Sequence, residues 1–179
     1  MNMREFFKFV KFKKYNDIVG VEVGVYRGDN AYNILTNLHI KKLFLVDSWK
    51  AYDDCDMNQE LKEMKRDNQD VMDSHKRYTI DRFKNYDNVV IMEEDSVEAA
   101  KKFSDLSLDF VYIDAKHYFN DVIADCTAWY NKVKDGGIIG GHDVNTPLYG
   151  DDIKKAVVTL SIHVKRPLWM VLDDWWIVK

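Results

Sequence analysis

Two glycines at the end of an apolar run constrain the fold of this chain more than any other feature. Residues 21–31 read Val-Glu-Val-Gly-Val-Tyr-Arg-Gly-Asp-Asn-Ala, so Gly24 and Gly28 separate the apolar run from a helix-like pattern. This order predicts a strand, a tight turn and the start of a helix. Glycine tolerates positive φ and lets another molecule approach the backbone closely, and a helix N-terminus offers unpaired N–H groups. The turn therefore predicts a nucleotide-like ligand at the carboxyl end of a parallel strand.

Apolar, strand-like runs alternate with helical patterns along the rest of the chain. Strands are predicted at 18–23, 42–47, 88–92, 108–114 and 136–141, and helices after the glycine turn and at 97–103, 119–133 and 151–160. This alternation predicts a parallel sheet covered by helices on both faces. Residues 162–165 and 175–178 are expected to close the sheet as antiparallel edge strands. Because side chains alternate along a strand, one of Trp175 and Trp176 is expected to face the packing of the sheet and the other solvent or a partner.

The size and charge of the chain exclude several classes of protein. Its 179 residues, 46% of them hydrophobic, fit one globular domain over residues 1–179. The net charge of −4 argues against broad binding to a phosphate backbone. No run reaches membrane-spanning length, and no early run resembles a signal peptide. Because Cys55 and Cys126 form neither a close pair nor a metal-ligand spacing, the reducing cytoplasm is the expected location.

Two segments allow more than one interpretation. Residues 1–14 interleave aromatic and basic residues, a pattern that fits a helix on a membrane surface or, as we prefer, a helix that covers one face or end of the sheet. Residues 48–84 are long and charged, with helical stretches at 59–66 and 71–83. A connection of this length between two strands is either a lid or substrate cap over a site or an extended helical crossover.

Acidic residues gather at the predicted carboxyl ends of the strands. Glu22, Asp47 and Asp114 lie at or near three of these ends, and Asp95 with Ser96 follows the third strand. Ligands of open α/β sheets bind at that edge. Asp47 also follows the glycine turn at the spacing expected for a carboxylate that accepts hydrogen bonds from ribose hydroxyls. These residues predict a nucleotide-like site at one edge of the sheet.

The segment from Glu22 to Gly28 resembles motif I of the class I S-adenosylmethionine-dependent methyltransferases, and its tyrosine is most similar to the metal-dependent O-methyltransferases, including the catechol type. The resemblance implies a Rossmann-like α/β fold with a seven-stranded, mostly parallel sheet of order 3-2-1-4-5-7-6. It implies that the two glycines face the methionine part of the cofactor, that Asp47 binds the ribose, and that Asp95 and Ser96 lie beside the adenine. The expected cofactor-binding residues are Glu22, Gly24, Tyr26, Gly28, Asp47, Ser48, Asp95, Ser96 and Asp114.

A second signature runs from Asp109 to Tyr118 and continues over residues 135–143. It resembles a branch of small methyltransferases related to macrolide-sugar O-methyltransferases and cephalosporin-hydroxylase-like proteins. In the metal-dependent branch, strand-end acids hold a divalent ion that lowers the pKa of the acceptor hydroxyl. The resemblance implies Asp114, Asp143 and His142 as ligands of magnesium or manganese. A histidine at that place weakens the prediction of magnesium and leaves manganese, iron, zinc or no metal open.

Two histidines are candidates for the general base. His117 lies three residues after Asp114, at the offset where catechol-type enzymes carry a basic lysine. Neutral imidazole accepts a proton near neutral pH, so His117 is the first candidate and His142 the second. Lys116 is a weaker candidate because an exposed lysine stays protonated.

Three residues beside the second signature are expected to have structural roles. Asp121 and Asp125 are four apart and share a helix face, which predicts a cap and a solvated or ion-paired surface. Trp129 lies on the apolar stripe of the same helix and is predicted to belong to the core.

These features predict a methyltransferase that uses S-adenosylmethionine and acts on a small molecule, at a hydroxyl of a sugar or glycoside for example. Two alternatives stay open: a nicotinamide-dependent Rossmann-like enzyme, and a non-catalytic methyltransferase-like binding module. A classical nicotinamide fingerprint would need a glycine at Tyr26 or at a related second position of close approach, and this chain lacks it. No nucleic-acid partner is expected, and assembly into a homo-oligomer stays open.

Overall fold

The computed structural model describes residues 3–13, 16–51, 68–147 and 151–179. Its strands are β1 (Ile18–Val23), β2 (Ile40–Asp47), β3 (Val89–Glu93), β4 (Leu108–Ile113), β5 (Val133–Gly141), β6 (Leu168–Val171) and β7 (Asp174–Val178). They form one seven-stranded sheet in the order β3-β2-β1-β4-β5-β7-β6. The first five strands pair in parallel, whereas β7 runs antiparallel to β5 and β6. The predicted fold class and strand order are confirmed.

Helices cover both faces of this sheet. They are α1 (Glu5–Phe12), α2 (Asp29–Asn37), α3 (Gln69–Phe83), α4 (Ser96–Ala100), α5 (Phe119–Tyr130) and α6 (Asp152–Val164). Two buried apolar clusters result. Val21 and Val111 belong to the cluster that includes α5 and α6, whereas Leu43 and Phe110 belong to the cluster that includes α1 and α2. Packing on both faces explains why the parallel strands are apolar almost throughout.

The basic, aromatic segment near the N-terminus is α1, and it packs on the sheet. Phe6, Phe7 and Val10 are buried, and the Phe6 N–H donates to Asp174 Oδ2 at 3.0 Å. This agrees with the interpretation that we prefer for the segment. The same packing places Arg4, which directly precedes the helix, at the carboxyl end of β4. In the described parts of the chain, no helix combines the length and apolar character needed to span a membrane.

Both tryptophans of β7 are buried, so the prediction that one of them faces solvent or a partner is wrong. Trp175 is 1% exposed and Trp176 is 5% exposed. They pack into the two clusters on opposite faces of the sheet. The Phe9 ring of α1 stacks on Trp176 with ring centroids 5.2 Å apart. The alternation along the strand is as expected, but a helix from the other end of the chain covers the second face.

The strand predicted at 162–165 is wrong. Ile162 and Val164 lie in the last turn of α6, which ends at Lys165 in the left-handed conformation. β-Branched residues resemble a strand over a few positions, but the helical spacing of apolar residues along α6 continues into this turn. Pro167 follows the helix, and the edge strand β6 begins only after it.

The two glycines of the turn after β1 bring it against β4 on one side and α3 on the other. Gly24 has a φ of 84°, and a Cβ there would lie 2.1 Å from the Asp114 carbonyl oxygen. Gly28 has a φ of 71°, and a Cβ there would lie 2.5 Å from Cε2 of Phe83. Any larger residue would therefore push the turn away from the end of β4 or from α3.

The long connection after β2 is described in part. The helix predicted at 71–83 corresponds to α3, whereas the helical stretch predicted at 59–66 and Cys55 lie outside the described residues. Gln69 Nε2 donates to the Trp49 carbonyl at 3.0 Å, and the Ala51 N–H donates to Gln69 Oε1 at 3.1 Å. These bonds hold the start of α3 beside the end of β2. The lid role of residues 48–84 stays a prediction.

Candidate active site

A cavity of about 660 Å³ lies at the carboxyl edge of the sheet, where β1, β2, β3 and β4 end. Because parallel strands end at the same edge, residues far apart in sequence meet there. The predicted site residues on its wall are Glu22, Gly24, Tyr26, Asp47, Ser48, Asp95, Ser96, Asp114 and His117. Three predicted residues, Gly28, His142 and Asp143, are not part of the wall.

The carboxylate of Asp47 shapes the glycine turn. Its Oδ2 accepts hydrogen bonds from the N–H groups of Val25 and Tyr26, both at 2.8 Å, and its Oδ1 accepts one from Trp49 at 2.8 Å. Tyr26 has a φ of 53°, a conformation that costs free energy for a residue other than glycine. A carboxylate offers about four acceptor positions, so Asp47 holds the turn and keeps an acceptor position for a ligand in the cavity.

Glu22 is a buried acid with one oxygen that has no partner. Its side chain is 1% exposed, and Oε1 accepts a hydrogen bond from Asn30 Nδ2 at 2.8 Å. Oε2 has no hydrogen-bond partner among the described residues. Burial raises the pKa of Glu22 to about 8, although the Asn30 bond and the charge of Arg4 favour the ionised form. A buried, unpartnered carboxylate oxygen on a cavity wall is suited to an N–H donor or a cation of a ligand.

A second polar group lies where α4 meets α5. Asp95 is the N-cap of α4, and its Oδ1 accepts hydrogen bonds from the Val97 and Glu98 N–H groups at 3.0 and 3.3 Å. Ser96 Oγ accepts a hydrogen bond from Trp129 Nε1 at 2.9 Å. Trp129 itself is fully buried in the core, as predicted. Helix capping and the core tryptophan therefore fix this part of the wall.

Of the face predicted as solvated or ion-paired, Asp121 fits the ion-paired alternative, 3.9 Å from Lys116. Asp125 is part of the cavity wall, and the solvated alternative is wrong for it. It is 5% exposed. Burial raises its pKa to about 7, while its hydrogen bond to Ser96 favours the ionised form. The helix face that it shares with Asp121 borders the cavity, because α5 packs against α4 at this edge of the sheet. The i, i+4 spacing identified the shared face but not what lies opposite it.

Asp114, His117 and Asp143 form a cluster in which one ligating atom of each lies within 4.8 Å of the others. His117 Nε2 is 3.0 Å from Asp143 Oδ2 and 3.6 Å from Asp114 Oδ1. Burial alone would lower the pKa of His117, but the hydrogen bonds and negative charges of the two aspartates outweigh it and raise the pKa. Asp143 has a φ of 60°, so its backbone carries strain of a kind found at functional sites.

The structure brings His117, and not His142, into this cluster. His142 Nδ1 lies 3.1 Å from Asp143 Oδ1, on the other oxygen of that carboxylate. Burial alone would lower the pKa of His142, but its hydrogen bond to Asp143 and the negative charges of Asp114 and Asp143 together outweigh burial and raise the pKa. Against the cost of burial, the two imidazoles and Thr146 hold the pKa of Asp143 well below its usual range. His142 therefore supports the cluster from outside the cavity wall.

Arg4 belongs to this site although the sequence analysis did not identify it. Its Nη1 donates to Asp114 Oδ2 and to the Tyr112 hydroxyl, both at 2.7 Å. The Tyr112 hydroxyl in turn donates to buried Asp174 Oδ1 at 2.7 Å. The Arg4 side chain is 16% exposed and forms part of the cavity wall. The one sequence signal for this role is an arginine placed just before a helix whose apolar face packs on the sheet.

Residues 21–144 match a family model described as "Methyltransferase domain". No curated protein sequence gives a significant match. Among solved structures, the O-methyltransferase NovP is 18% identical with a TM-score of 0.64, over 96% of this chain and 75% of that chain. A putative caffeoyl-CoA O-methyltransferase from Staphylococcus aureus is 11% identical with a TM-score of 0.65, over 100% of this chain and 85% of that chain.

A spermidine synthase from Thermotoga maritima is 15% identical with a TM-score of 0.60, over 91% of this chain. The chain spans about half of that synthase, namely 54% of its length. At these identities the three structural similarities establish the fold, and the activities in their names describe those proteins.

Proposed function

Since this chain belongs to the methyltransferase domain family and has the class I S-adenosylmethionine-dependent fold, we propose that it transfers a methyl group to a hydroxyl of a small molecule. The observation that carries the proposal is the position of His117. Two carboxylates hold its imidazole on the wall of the cavity that begins at the glycine turn. O-Methyltransferases among the similar structures support the same type of acceptor.

The wall of the cavity fits S-adenosylmethionine by its donors and acceptors. Glu22 Oε2 is a buried acceptor without a partner among the described residues, as an ammonium group of the cofactor requires. Gly24 lies on the wall of the cavity, and its close packing against the Asp114 backbone fixes the turn there. We assign Asp47 to the ribose hydroxyls and Ser96, with Asp95, to the adenine. When bound, the cofactor supplies an activated methyl group together with its own leaving group.

The residues of the chain then have two tasks, alignment and proton removal. The glycine turn and Asp47 hold the donor in one orientation, which converts the displacement into a reaction between aligned groups. The acceptor oxygen forms a bond to the methyl carbon as the carbon–sulfur bond breaks, and the hydroxyl proton passes to the neutral imidazole of His117. Asp114 and Asp143 stabilise the resulting imidazolium at distances of 3.6 and 3.0 Å. The products are a methyl ether and S-adenosylhomocysteine.

The same cluster offers an alternative, a divalent ion. Two carboxylates and one imidazole fit manganese, iron or zinc by ligand type better than magnesium. Asp114, His117 and Asp143 would hold the ion, which would lower the pKa of the acceptor hydroxyl. His142, expected as a ligand, lies outside the group. We prefer the base because Arg4 is 2.7 Å from Asp114, and a fixed positive charge disfavours a second cation at the same carboxylate.

Other expectations remain part of the proposal. The family assignment removes the nicotinamide-dependent alternative. A non-catalytic binding module remains a second candidate, because the cluster includes an imidazole and so departs from the oxygen ligands that magnesium prefers. A small-molecule acceptor, a cytoplasmic location and a homo-oligomer are likewise proposals.

Calorimetric titration with S-adenosylhomocysteine, with and without manganese, tests cofactor binding. We expect a dissociation constant in the micromolar range that manganese does not change. Asp47→Asn should weaken binding at least tenfold, whereas Asp105→Asn, an exposed aspartate paired with Lys132 away from the cavity, should leave it unchanged. Absence of binding under all conditions would contradict the methyltransferase proposal.

Turnover distinguishes an enzyme from a binding module. Hydroxylated small molecules, including sugars and glycosides, are incubated with the protein and S-adenosylmethionine, and S-adenosylhomocysteine is measured as a product. The proposed enzyme is supported if S-adenosylhomocysteine is released only when an acceptor is present and if the His117→Gln variant no longer releases it. Cofactor binding without turnover of any acceptor supports the binding module.

A further inference from the structure

Arg4 is a cation of the cavity wall with donors that the protein does not use. A guanidinium carries five N–H donors, and two of them, both on Nη1, bind Asp114 and Tyr112. The three others, on Nη2 and Nε, have no acceptor among the described residues. Arg4 is part of the wall and its side chain is 16% exposed, so the guanidinium group borders the cavity.

The position of Arg4 is fixed by packing on one side and hydrogen bonds on the other. It precedes α1, whose Phe6 and Phe7 are buried against the sheet. Nη1 is held by Asp114 and by Tyr112, a hydroxyl that is itself bound to a buried carboxylate. A guanidinium held in this way loses little conformational entropy when it binds a ligand. The free edge is thus preorganised for a planar, two-oxygen acceptor such as a carboxylate.

Glu22 provides a hydrogen-bond acceptor on the same wall. Its buried Oε2 has no partner among the described residues, and the positive charge of Arg4 favours the ionised form of Glu22. A wall that combines a preorganised cation with an unpartnered acidic oxygen matches an α-amino acid, which carries an α-carboxylate and an α-ammonium on one carbon.

We propose that Arg4 binds the α-carboxylate of the methionine half of S-adenosylmethionine, while Glu22 accepts a hydrogen bond from its α-ammonium. The inference rests on the proposed function, and it adds that the site selects cofactors that carry an α-carboxylate. A cofactor without the α-carboxylate leaves the free edge of Arg4 without an acceptor in the occupied cavity, so the site discriminates against it. Arg4 is then a cofactor-binding residue that α1 delivers to the site.

Calorimetric titration with two ligands tests whether the site selects for the α-carboxylate. S-Adenosylhomocysteine is compared with S-adenosyl-3-thiopropylamine, which differs from it only in lacking the carboxylate. We expect wild-type protein to bind S-adenosylhomocysteine about 10- to 100-fold more tightly. Arg4→Gln should abolish this preference by weakening the binding of S-adenosylhomocysteine alone, and Arg4→Lys should restore part of it. Lys8→Gln, on the exposed face of the same helix and paired with Glu5, is the matched control and should keep the full preference.

The possible results separate the inference from the proposed function. Equal affinity of wild-type protein for the two ligands would overturn the inference while leaving the proposed function intact. Equal weakening of both ligands in Arg4→Gln would also overturn it, because a merely structural role of Arg4 predicts that result. If Arg4→Gln fails to fold, the comparison of the two ligands on wild-type protein still tests the inference. Failure of both ligands to bind would contradict the proposed function itself, and the inference with it.

Discussion

Glu22 gives a prediction whose magnitude can be worked out from the structure. Its pKa is raised from a usual value of 4.5 to about 8, mainly by burial. At about 1.36 kcal/mol per pKa unit, this difference corresponds to about 5 kcal/mol of unfolding free energy. Because the folded state binds the proton more tightly than the unfolded state, the contribution is complete below pH 4.5 and is lost as the pH rises through about 8.

Glu22→Gln removes this titration and keeps the acceptor for Asn30, whose Nδ2 lies 2.8 Å from Oε1. Between pH 6 and pH 9, the unfolding free energy of wild-type protein should fall by about 3 kcal/mol relative to that of the variant. The reason is that the fall continues from pH 6 up to the raised pKa of about 8, an interval of about two pH units. The unpartnered amide of the variant adds a cost that does not depend on pH. Other titrating groups cancel because both proteins contain them.

Urea unfolding of the two proteins at pH 6 and pH 9 measures this quantity. Glu93→Gln is the matched control, since Glu93 is 57% exposed, and its difference from wild type should not change with pH. If the difference between wild type and Glu22→Gln is the same at both pH values, Glu22 titrates like an exposed acid. Such a result would refute a buried and poorly partnered state of this carboxylate.

Other perturbations test the turn, the base and the metal. Gly24→Ala should lower the unfolding free energy by about 2–4 kcal/mol, because its Cβ would lie 2.1 Å from the Asp114 carbonyl oxygen. Gly136→Ala is the control, because Gly136 has a φ of 77° but no atom lies within 4 Å of the added Cβ; it should lower the unfolding free energy by about 1 kcal/mol. If urea unfolding shows the same loss for both variants, a steric clash at Gly24 is refuted. His117→Gln should lower kcat about 10²- to 10⁴-fold with little change in calorimetric affinity for S-adenosylhomocysteine, and an unchanged kcat would exclude it as the base. Only the neutral imidazole of His117 accepts the proton, and Asp114 and Asp143 raise the pKa of His117 against the effect of burial. Wild-type kcat should therefore rise with pH through a pKa above the ordinary value of histidine. A kcat that is constant across neutral pH would contradict this. Treatment with a chelator should leave the activity unchanged, and a loss that manganese restores would favour the metal alternative.

Local patterns in the sequence were sufficient for the five parallel strands and for one side of the cavity. The apolar run of β1, the glycines after it and the acids at the strand ends are all local signals. A parallel sheet brings its strand ends to one edge whatever the loops do. For this reason Glu22, Asp47 and Asp114 could be placed together before any tertiary contact was known.

Tertiary packing decided what faces these residues. Arg4 reaches Asp114 across 110 positions of sequence, and it does so because α1 packs on the sheet. The same helix buries Trp176, and the packing of α5 against α4 turns Asp125 from a surface residue into part of the cavity wall. The choice of His117 over His142 as the partner of both aspartates likewise depends on how β4 and β5 lie side by side. Periodicity in a sequence reports which face of an element is apolar, whereas the partner of each face is set by long-range packing that no local pattern contains.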